Sequence, residues 1–441
     1  MNAQLDQPFS EAEITEALSQ MHPTKAPGPD GLPAAFFQKH WKSVSQGVIA
    51  TCLQVLNGRE TFSNLLKQAE AQQLIHGIKF NKELSITHLL FADDSLIFTR
   101  ATREDCTNLK EIFDCYAAAS GQIFNYEKSS MFFSESTRQE QIAAIKAIFQ
   151  LQVVSRHAKY LGLPSMVGRN RTSFFKDIKL RVLGKISSWQ AKLFSCGGKE
   201  GLIKAVAQAV PVYAMSVFKL PIGLCEDMQK AIAGFWWGSS QNHKSIHYRG
   251  GLGFRDLSSF NHALVAKQSW RIIQEPKSLV ARVLKARYFK HSNLMQAQLG
   301  SHPSFIWRSI LWGRKVIEQG LRWRIGDGQQ VLVYQSPWLP RPMTFQPISP
   351  PSLKLDTTVT ELINEDQEWK EEVIRHHFLE EDADQMLKIP LPRQPKPDQV
   401  MWHHDKKGNY SVKSGYQLAL KLRFPDKPSC SGERYRSWHA I

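Results

Sequence analysis

The amino-acid sequence predicts an α+β protein that is mostly helical. Two observations predict this class: long stretches carry apolar side chains at helical spacing, and the runs of β-forming residues are short and stand beside turn-forming residues. The chain has 441 residues, of which 42% are hydrophobic. A chain of this length can bury a sizeable core divided over roughly two to four domains. No uninterrupted apolar run is long enough to span a bilayer, so we expect no membrane partner.

The charge of the chain favours an anionic partner. Lysine and arginine together number 56 against 40 acidic residues, which gives a net charge of +16 and a pI near 9.5. We expect nucleic acid as the partner, and the alternative is a basic but otherwise ordinary soluble surface. The composition does not set an oligomeric state.

The cysteines favour a reducing compartment inside the cell. The six cysteines are scattered and form no Cys-x-x-Cys pair, which predicts neither a disulfide framework nor a structural zinc site. The first residues are polar and do not resemble a signal peptide. Nucleus and cytoplasm are equally compatible with this pattern.

The first helix is predicted to begin after Ser10, because Ser10 and Glu13 form a capping box. The stretch Lys25-Ala-Pro-Gly-Pro-Asp-Gly31 follows, and its prolines and glycines exclude both helix and strand. It is either a turn between helices or a phosphate-contacting loop that uses Lys25 and backbone amides.

The stretch from Ile86 to Arg100 predicts a β-hairpin with two adjacent carboxylates, Asp93 and Asp94, at its turn. The apolar strands on both sides are expected to bury the hairpin and to hold the carboxylates rigidly. Two oxygens held in this way suit a hard divalent cation such as Mg²⁺, and polymerases combine such a pair with a third carboxylate. The alternative is an ordinary acidic turn.

Two further local signals follow the hairpin. Thr102 and Gly121 are the predicted ends of a helix, because threonine is a common N-cap and glycine a common C-cap. The segment Lys159-Tyr-Leu-Gly-Leu-Pro164 predicts a short strand and a turn.

From Thr172 onward the chain is predicted to be mostly helical. The buried face of the first of these helices is a stripe of five apolar residues: Phe175, Ile178, Val182, Ile186 and Trp189. Four cations occupy its other faces: Lys176, Lys179, Arg181 and Lys185. They form either a solvated basic face or one wall of a nucleic-acid groove.

Two hairpins are predicted beyond Leu321. The first joins the segment around Trp323 to Val331–Tyr334 across a Gly-Asp-Gly turn. The second joins Val400–Trp402 to Tyr410–Lys413.

Taken together, these segments resemble the reverse transcriptase of plant non-LTR (LINE-type) retrotransposons. The matching stretches occur in the family's order and cover nearly the whole chain. They are Lys25–Gly31 with Phe36 and Trp41, Thr87–Asp94, Ser120–Gln122 with Asn125 and Lys128–Ser129, Tyr160–Pro164, and the tryptophan-rich region from Gly197 to Pro340.

The resemblance implies an RNA-directed DNA polymerase that uses Mg²⁺ or Mn²⁺ and has an RNA template and a DNA primer as partners. It implies Asp93 and Asp94 as catalytic metal ligands and Lys128 as a proton donor or phosphate contact. It also implies Lys25 as a template-strand contact. Lys159 stands beside the segment that looks like the primer grip and is a further candidate for binding nucleic acid.

Two blocks of the family pattern are missing. The palm strand with the third metal-binding Asp and the nucleotide-positioning loop belong between the fingers and the hairpin, where this chain runs from Val55 through Arg59 straight into Phe62. We therefore expect an internally deleted, C-terminally truncated copy without polymerase activity, a pseudoenzyme. The alternatives are a non-specific nucleic-acid-binding remnant without an enzymatic role and a host interaction protein unrelated to nucleic acid.

The resemblance also predicts four parts along the chain. They are a fingers fragment (1–60), a palm remnant with the hairpin (61–134), a helical thumb and connection region (135–320) and a small mixed C-terminal region (321–441). The last part contains the start of a zinc-binding-type segment, in which Cys430 is the one possible ligand.

Overall fold

The computed structural model of the protein describes residues 10–23, 32–57, 62–154, 159–164, 175–190, 193–238, 254–341 and 344–425, without the side chains of residues 54–57, 159 and 164. Helices make up 51% of the chain and the strands are short, so the predicted mostly helical α+β class is confirmed. None of the helices in these ranges is long and apolar enough to cross a membrane. The chain divides into two compact units, Met1–Met166 and Val167–Ile441, and the predicted division into four parts stays a prediction.

The first unit combines helices with two-stranded sheets, in which β1 pairs with β2, β3 with β4, β5 with β6 and β7 with β8. Its elements in chain order are α1 (Glu11–Gln20), α2 (Ala34–Lys39), α3 (Trp41–Asn57), α4 (Phe62–Ala71), β1 (Ile78–Lys79), β2 (Ser85–Ile86), β3 (His88–Phe91), β4 (Asp94–Ile97), α5 (Arg103–Ser120), β5 (Ser130–Met131), α6 (Gln139–Phe149), β6 (Gln152–Val153), β7 (Lys159–Tyr160) and β8 (Leu163–Pro164).

The predicted helix ends of this unit are confirmed. The Glu13 amide donates to Ser10 Oγ at 3.4 Å, and the Ser10 amide donates to Glu13 Oε2 at 2.8 Å, which completes the capping box of α1. The Thr102 side chain accepts from the Asp105 amide at the start of α5. Gly121 ends α5 in the left-handed region, with φ of 70°, where glycine carries no steric penalty.

One core holds α4, α5 and α6 together. Leu66 and Leu109 meet Phe149 there, and aromatic rings fill the space between the helices. Phe113 and Phe124 stack with their ring centroids 4.5 Å apart. The described side chains of α1 to α3, in contrast, include one buried apolar residue, Ile14.

The second unit is built from helices and one antiparallel ribbon. Its elements in chain order are α7 (Lys176–Ser188), α8 (Cys196–Leu202), a π-helical turn (Ile203–Ala207), α9 (Val212–Met215), α10 (Ile222–Trp237), α11 (Leu257–Gln274), α12 (Leu279–Tyr288), α13 (Phe305–Glu318), β9 (Leu321–Arg324), a 3₁₀ turn (Val359–Leu362), α14 (Glu371–His377), α15 (Glu380–Leu387), β10 (Gln399–Trp402) and α16 (Val412–Arg423).

Helix α11 is the centre of the second unit and packs against α13 and α16. Gly313 on α13 permits the close approach, because a Cβ atom there would lie 2.8 Å from the backbone nitrogen of Ala266. The hydroxyl of Tyr410, which precedes α16, donates to the carbonyl oxygen of Ala263 in α11 at 2.8 Å. Buried tryptophans complete the packing in three separate clusters: Trp307, Trp338 and Trp402.

The prediction of a hairpin between Trp323 and Val331–Tyr334 is wrong. Strand β9 pairs instead with β10, with Leu321 opposite Trp402. The Asp398 carboxylate explains the difference, because it accepts hydrogen bonds from three amides of residues 326–330 at 2.7 to 3.0 Å and holds this segment as a loop. Val331–Tyr334 then forms one isolated bridge, through Leu332, with Thr358.

The prediction of a hairpin between Val400–Trp402 and Tyr410–Lys413 is also wrong. Ser411 caps α16, because its Oγ accepts from the Ser414 amide at 3.2 Å, so the chain enters a helix where a strand was expected. Tyr410 remains close to Trp402, with ring centroids 4.8 Å apart, through side-chain packing rather than strand pairing.

Candidate metal hairpin and nucleic-acid interface

The predicted hairpin with adjacent carboxylates is present. Strands β3 and β4 pair antiparallel, with Phe91 opposite Asp94, so Ala92 and Asp93 form a two-residue turn. Ala92 lies in the left-handed region with φ of 49°, which is uncommon for a residue with a Cβ atom. Asp93 therefore lies in the turn and Asp94 begins the second strand.

The expected burial of this hairpin is wrong. Leu90 and Phe91 are 40% and 61% exposed, and both Asp93 and Asp94 are exposed. The physical reason is that, among the described residues, β3 and β4 form a sheet of two strands only, and such a hairpin has no sheet neighbour to cover its tip. The base of the hairpin is held, because Ile97 packs against the core of the unit.

A hydrogen-bonded histidine anchors the base of the hairpin to α4. Ser63 Oγ lies 2.8 Å from His88 Nε2, and Thr87 Oγ1 lies 2.9 Å from His88 Nδ1. Burial, followed by the nearby Lys67 ammonium, lowers the pKa of His88. The imidazole therefore stays neutral near pH 7 and links two hydroxyl groups.

The carboxylates at the turn do not fit a two-metal centre. Within the ranges that the structure describes, no group of three or more His, Cys, Asp or Glu side chains is placed to hold a metal ion. Asp93 lies in the turn and Asp94 in the first position of β4, and both side chains are exposed. Their exposure also leaves water in competition for any cation.

The buried carboxylate nearest in sequence, Asp105, cannot serve as the third ligand because its oxygens are already occupied. Oδ2 accepts from the His76 amide at 2.9 Å and from Thr99 Oγ1 at 3.2 Å, and it lies 3.1 Å from His76 Nδ1. Oδ1 accepts from Thr102 Oγ1 at 2.9 Å. Burial alone would raise the pKa of Asp105, but the hydrogen bonds from Thr102, His76 and Thr99 outweigh it and the pKa is lowered.

The other predicted catalytic residue, Lys128, lies in the turn that precedes β5. Its backbone amide donates to Asn125 Oδ1 at 3.0 Å, and its side chain is exposed. Among the described residues, no hydrogen bond or ion pair joins the Lys128 ammonium to Asp93 or Asp94. Its predicted role stays a prediction.

Two predicted nucleic-acid contacts fall outside what the structure describes. Lys25 and its loop lie outside the described residues, as does the side chain of Lys159. The backbone of the Lys159 segment forms the predicted short strand and turn, with β7 paired to β8. Leu161 and Gly162 connect these strands, both with positive φ, as a tight hairpin requires.

The four predicted cations of α7 do not lie on one side of the helix. Lys176, Arg181 and Lys185 are exposed, whereas Lys179 pairs with Asp227 of α10 at 2.6 Å. Helical geometry places Arg181 and Lys185 about 140° and 180° around the axis from Lys176. Of the predicted stripe, Phe175, Ile178 and Val182 are buried, whereas Ile186 and Trp189 are half-buried.

The positive charge of the chain is concentrated in one long segment and not in a single helix. Residues 172–318 hold 22 lysines and arginines against 7 acidic residues, whereas residues 1–166 hold 15 against 17. Several acids of the basic segment are already paired, including Asp227, Glu275 and Glu318. Exposed cations remain on α10, α11 and α12, among them Lys230, Lys267 and Lys285. Counting charges per segment could have found this surface from the sequence alone.

Comparison with known proteins places the chain among plant proteins. No protein-family model matches it. It is 45% identical over 143 residues to the "Uncharacterized mitochondrial protein AtMg00310" of Arabidopsis thaliana, covering 30% of this chain and 93% of that protein. The chain therefore belongs to the same family as this mitochondrial protein.

A second plant protein resembles this chain over a longer stretch. The chain is 29% identical over 275 residues to the "Putative ribonuclease H protein At1g65750" of Arabidopsis thaliana. The match covers 58% of this chain and 44% of the relative, so the chain spans less than half of that protein.

Proposed function

We propose that this protein is a non-specific nucleic-acid-binding protein that descends from the reverse transcriptase of a plant LINE-type retrotransposon and does not polymerise DNA. The observation that carries the proposal is the cation excess of residues 172–318. Phosphate backbones bind such surfaces mainly by releasing counterions, without any need for a particular base sequence. The natural partners of the lineage are an RNA template and a DNA primer.

Two findings support the lineage. The Ala-Asp-Asp sequence sits at the turn of a β-hairpin, as a polymerase palm requires. One relative is named a putative ribonuclease H protein, and ribonucleases act on RNA. An intact family member uses Mg²⁺ or Mn²⁺, but the exposed pair Asp93 and Asp94 lacks a third carboxylate among the described residues. A reducing intracellular compartment is part of the proposal, in line with the described cysteines, all of them free.

Binding is tested by titrating a fluorescent single-stranded RNA and a DNA duplex of unrelated sequences against the full chain at 50 and 200 mM salt. With roughly three to five phosphate contacts, affinity should fall on the order of 10²-fold over this interval. Similar affinities for unrelated sequences are expected. Affinity that does not change with salt, or no binding at 50 mM salt, would contradict the proposal.

Charge-matched variants locate the binding surface. Arg181→Gln with Lys185→Gln should reduce the slope of log K against log salt by up to about 2, because each contact contributes roughly 1. Lys39→Gln with Lys42→Gln removes the same charge from exposed positions on α2 and α3 of the first unit. The slope of this control should stay unchanged, and an equal loss in both variants would point to net charge rather than to the basic helices.

Polymerase activity is tested by primer extension on an RNA template with Mg²⁺ or Mn²⁺. We expect extension no greater than that of the Asp93→Ala, Asp94→Ala variant, because two exposed carboxylates cannot set the geometry of two catalytic ions. An intact reverse transcriptase serves as the positive control. Extension well above the double variant would overturn the proposed inactivity and leave the binding proposal standing.

A further inference from the structure

One face of the β9–β10 ribbon gathers cationic side chains. Arg322 stands opposite Met401, and Arg324 stands opposite Gln399. The ladder continues past the strands, because the His403 amide donates to the Gly320 carbonyl oxygen at 2.8 Å. Since successive residues of a strand point to opposite faces, Arg322, Arg324 and His403 share one face. The other face carries Leu321 and Trp402, which pack into the core.

The segment that covers this face leaves two nitrogen atoms without partners. Arg322 Nη1 reaches the Trp338 carbonyl oxygen at 3.4 Å, and the Phe345 ring lies against the His403 ring with centroids 4.9 Å apart. Arg322 Nε and His403 Nδ1 are shielded from solvent, and neither has a hydrogen-bond partner among the described residues. Shielded polar groups of this kind are costly unless a ligand or water satisfies them.

The electrostatic surroundings of these groups are positive. Burial, followed by repulsion from Arg324, lowers the pKa of Arg322. Burial, followed by repulsion from Arg322 and His404, lowers the pKa of His403. Burial, followed by repulsion from Lys421, lowers the pKa of His404. The nearby carboxylates are engaged elsewhere: Asp398 accepts backbone amides of residues 326–330, and Asp405 accepts the amides of residues 407 and 409.

We infer that Arg322, Arg324 and His403 form a binding site for a phosphate group. Phosphate oxygens offer acceptors to the guanidinium groups of the half-buried Arg322 and the exposed Arg324, and the phosphate charge offsets these two cations. This inference rests on the proposed function in so far as the phosphate belongs to a nucleic-acid strand. The site lies outside the basic helices of residues 172–318 and adds a directed contact to their general attraction.

The phosphate itself is tested on the full wild-type chain with inorganic phosphate. Histidines labelled at Cε1 are followed by NMR, and the His403 signal is identified by its loss in His403→Gln. Phosphate should shift this signal saturably and raise the pKa of His403, because an anion favours the charged imidazole. Sodium chloride at the same ionic strength should do neither. A His403 signal that responds equally to both salts would overturn the inference.

The role of Arg322 is tested with Arg322→Met, against the exposed control Arg393→Gln. Arg322→Met should weaken phosphate binding about tenfold or more, since it removes a charge-assisted contact. Its melting temperature should stay level or rise, because a buried charge without an acidic partner is removed. Unchanged phosphate affinity in Arg322→Met, whatever its melting temperature, would mean that Arg322 has a structural role only. Arg322→Lys provides a second variant that keeps the charge but loses the planar fork.

Oligonucleotide binding separates this inference from the proposed function. If wild-type protein binds an oligonucleotide, Arg322→Met should weaken that binding while Arg393→Gln leaves it unchanged. Equal binding by both variants would overturn the site and leave the proposed function intact. If the wild-type protein binds no oligonucleotide, the proposed function fails, and the response of His403 to inorganic phosphate decides the site by itself.

Discussion

At the residue scale, the buried Asp105 carboxylate links two segments of the first unit. It joins the segment before β1 to the start of α5 through hydrogen bonds from His76, Thr99 and Thr102. Asp105→Asn should destabilise the protein by about 1–3 kcal/mol at pH 7, because the amide cannot accept from all of these donors. Urea unfolding of the full chain measures the loss.

The same carboxylate makes the stability of the first unit depend on pH. Since the pKa of Asp105 is lowered in the folded state, its contribution is present above the unfolded pKa of about 4 and is lost as pH falls through the folded value. The difference between wild type and Asp105→Asn should therefore shrink below about pH 4. Asp114→Asn, at an exposed position on the same helix, is the control and should change stability by less than about 0.5 kcal/mol. A difference that persists at low pH would contradict this account.

Residues whose role is local could be predicted from the sequence. Ser10 and Thr102 begin helices, and Gly121 ends one, through hydrogen bonds to residues three or four positions away. The sequence pattern that predicts each cap therefore lies within about one helical turn. Asp105 accepts a hydrogen bond from His76, which is far away in the sequence, and Arg322 donates to the carbonyl oxygen of Trp338. No spacing rule marks them, and only the folded structure brings their partners together.

At the element scale, the β3–β4 hairpin carries a strained turn at Ala92. A residue with a Cβ atom at φ of 49° costs roughly 1 kcal/mol or more, which glycine avoids at some cost in chain entropy. Ala92→Gly should therefore increase hydrogen-exchange protection of the hairpin amides, including Phe98, about two- to fivefold. Exchange of peptides spanning residues 86–100, followed by mass spectrometry, measures this. Ala92→Val should lower protection, and a lower protection in Ala92→Gly would contradict the strain argument.

The sequence could predict the pairing of strands that are adjacent in the chain but not the pairing of distant ones. The β3–β4 and β7–β8 hairpins were predictable, because a two-residue turn lies between adjacent β-forming runs. The β9–β10 ribbon joins segments separated by most of the C-terminal region. Local periodicity holds no information on such a partner, so the sequence suggested the nearest available strand instead. The tip of the β3–β4 hairpin is exposed because no third described strand joins its sheet, and the composition of the two strands alone could not show this.

At the scale of the whole molecule, the two units differ in how their residues are packed. Helix α11 is buried along most of its length, whereas α1 to α3 bury one apolar side chain, Ile14, among those described. Limited proteolysis should therefore cut first before residue 62 and leave a resistant fragment that contains α11, α13 and α16. Mass spectrometry of the early fragments tests this. Early cuts within residues 257–318 would contradict the expected order.

The uneven distribution of tryptophan gives the protein a built-in optical label. Trp41 is the one tryptophan of the first unit, and the remaining eleven of the 12 belong to residues 167–441, where Trp307, Trp338 and Trp402 lie in separate cores. Intrinsic fluorescence therefore reports almost entirely on the second unit, while far-ultraviolet circular dichroism reports on helices of both. A denaturation followed with both signals distinguishes one cooperative transition from two, without any added dye or mutation.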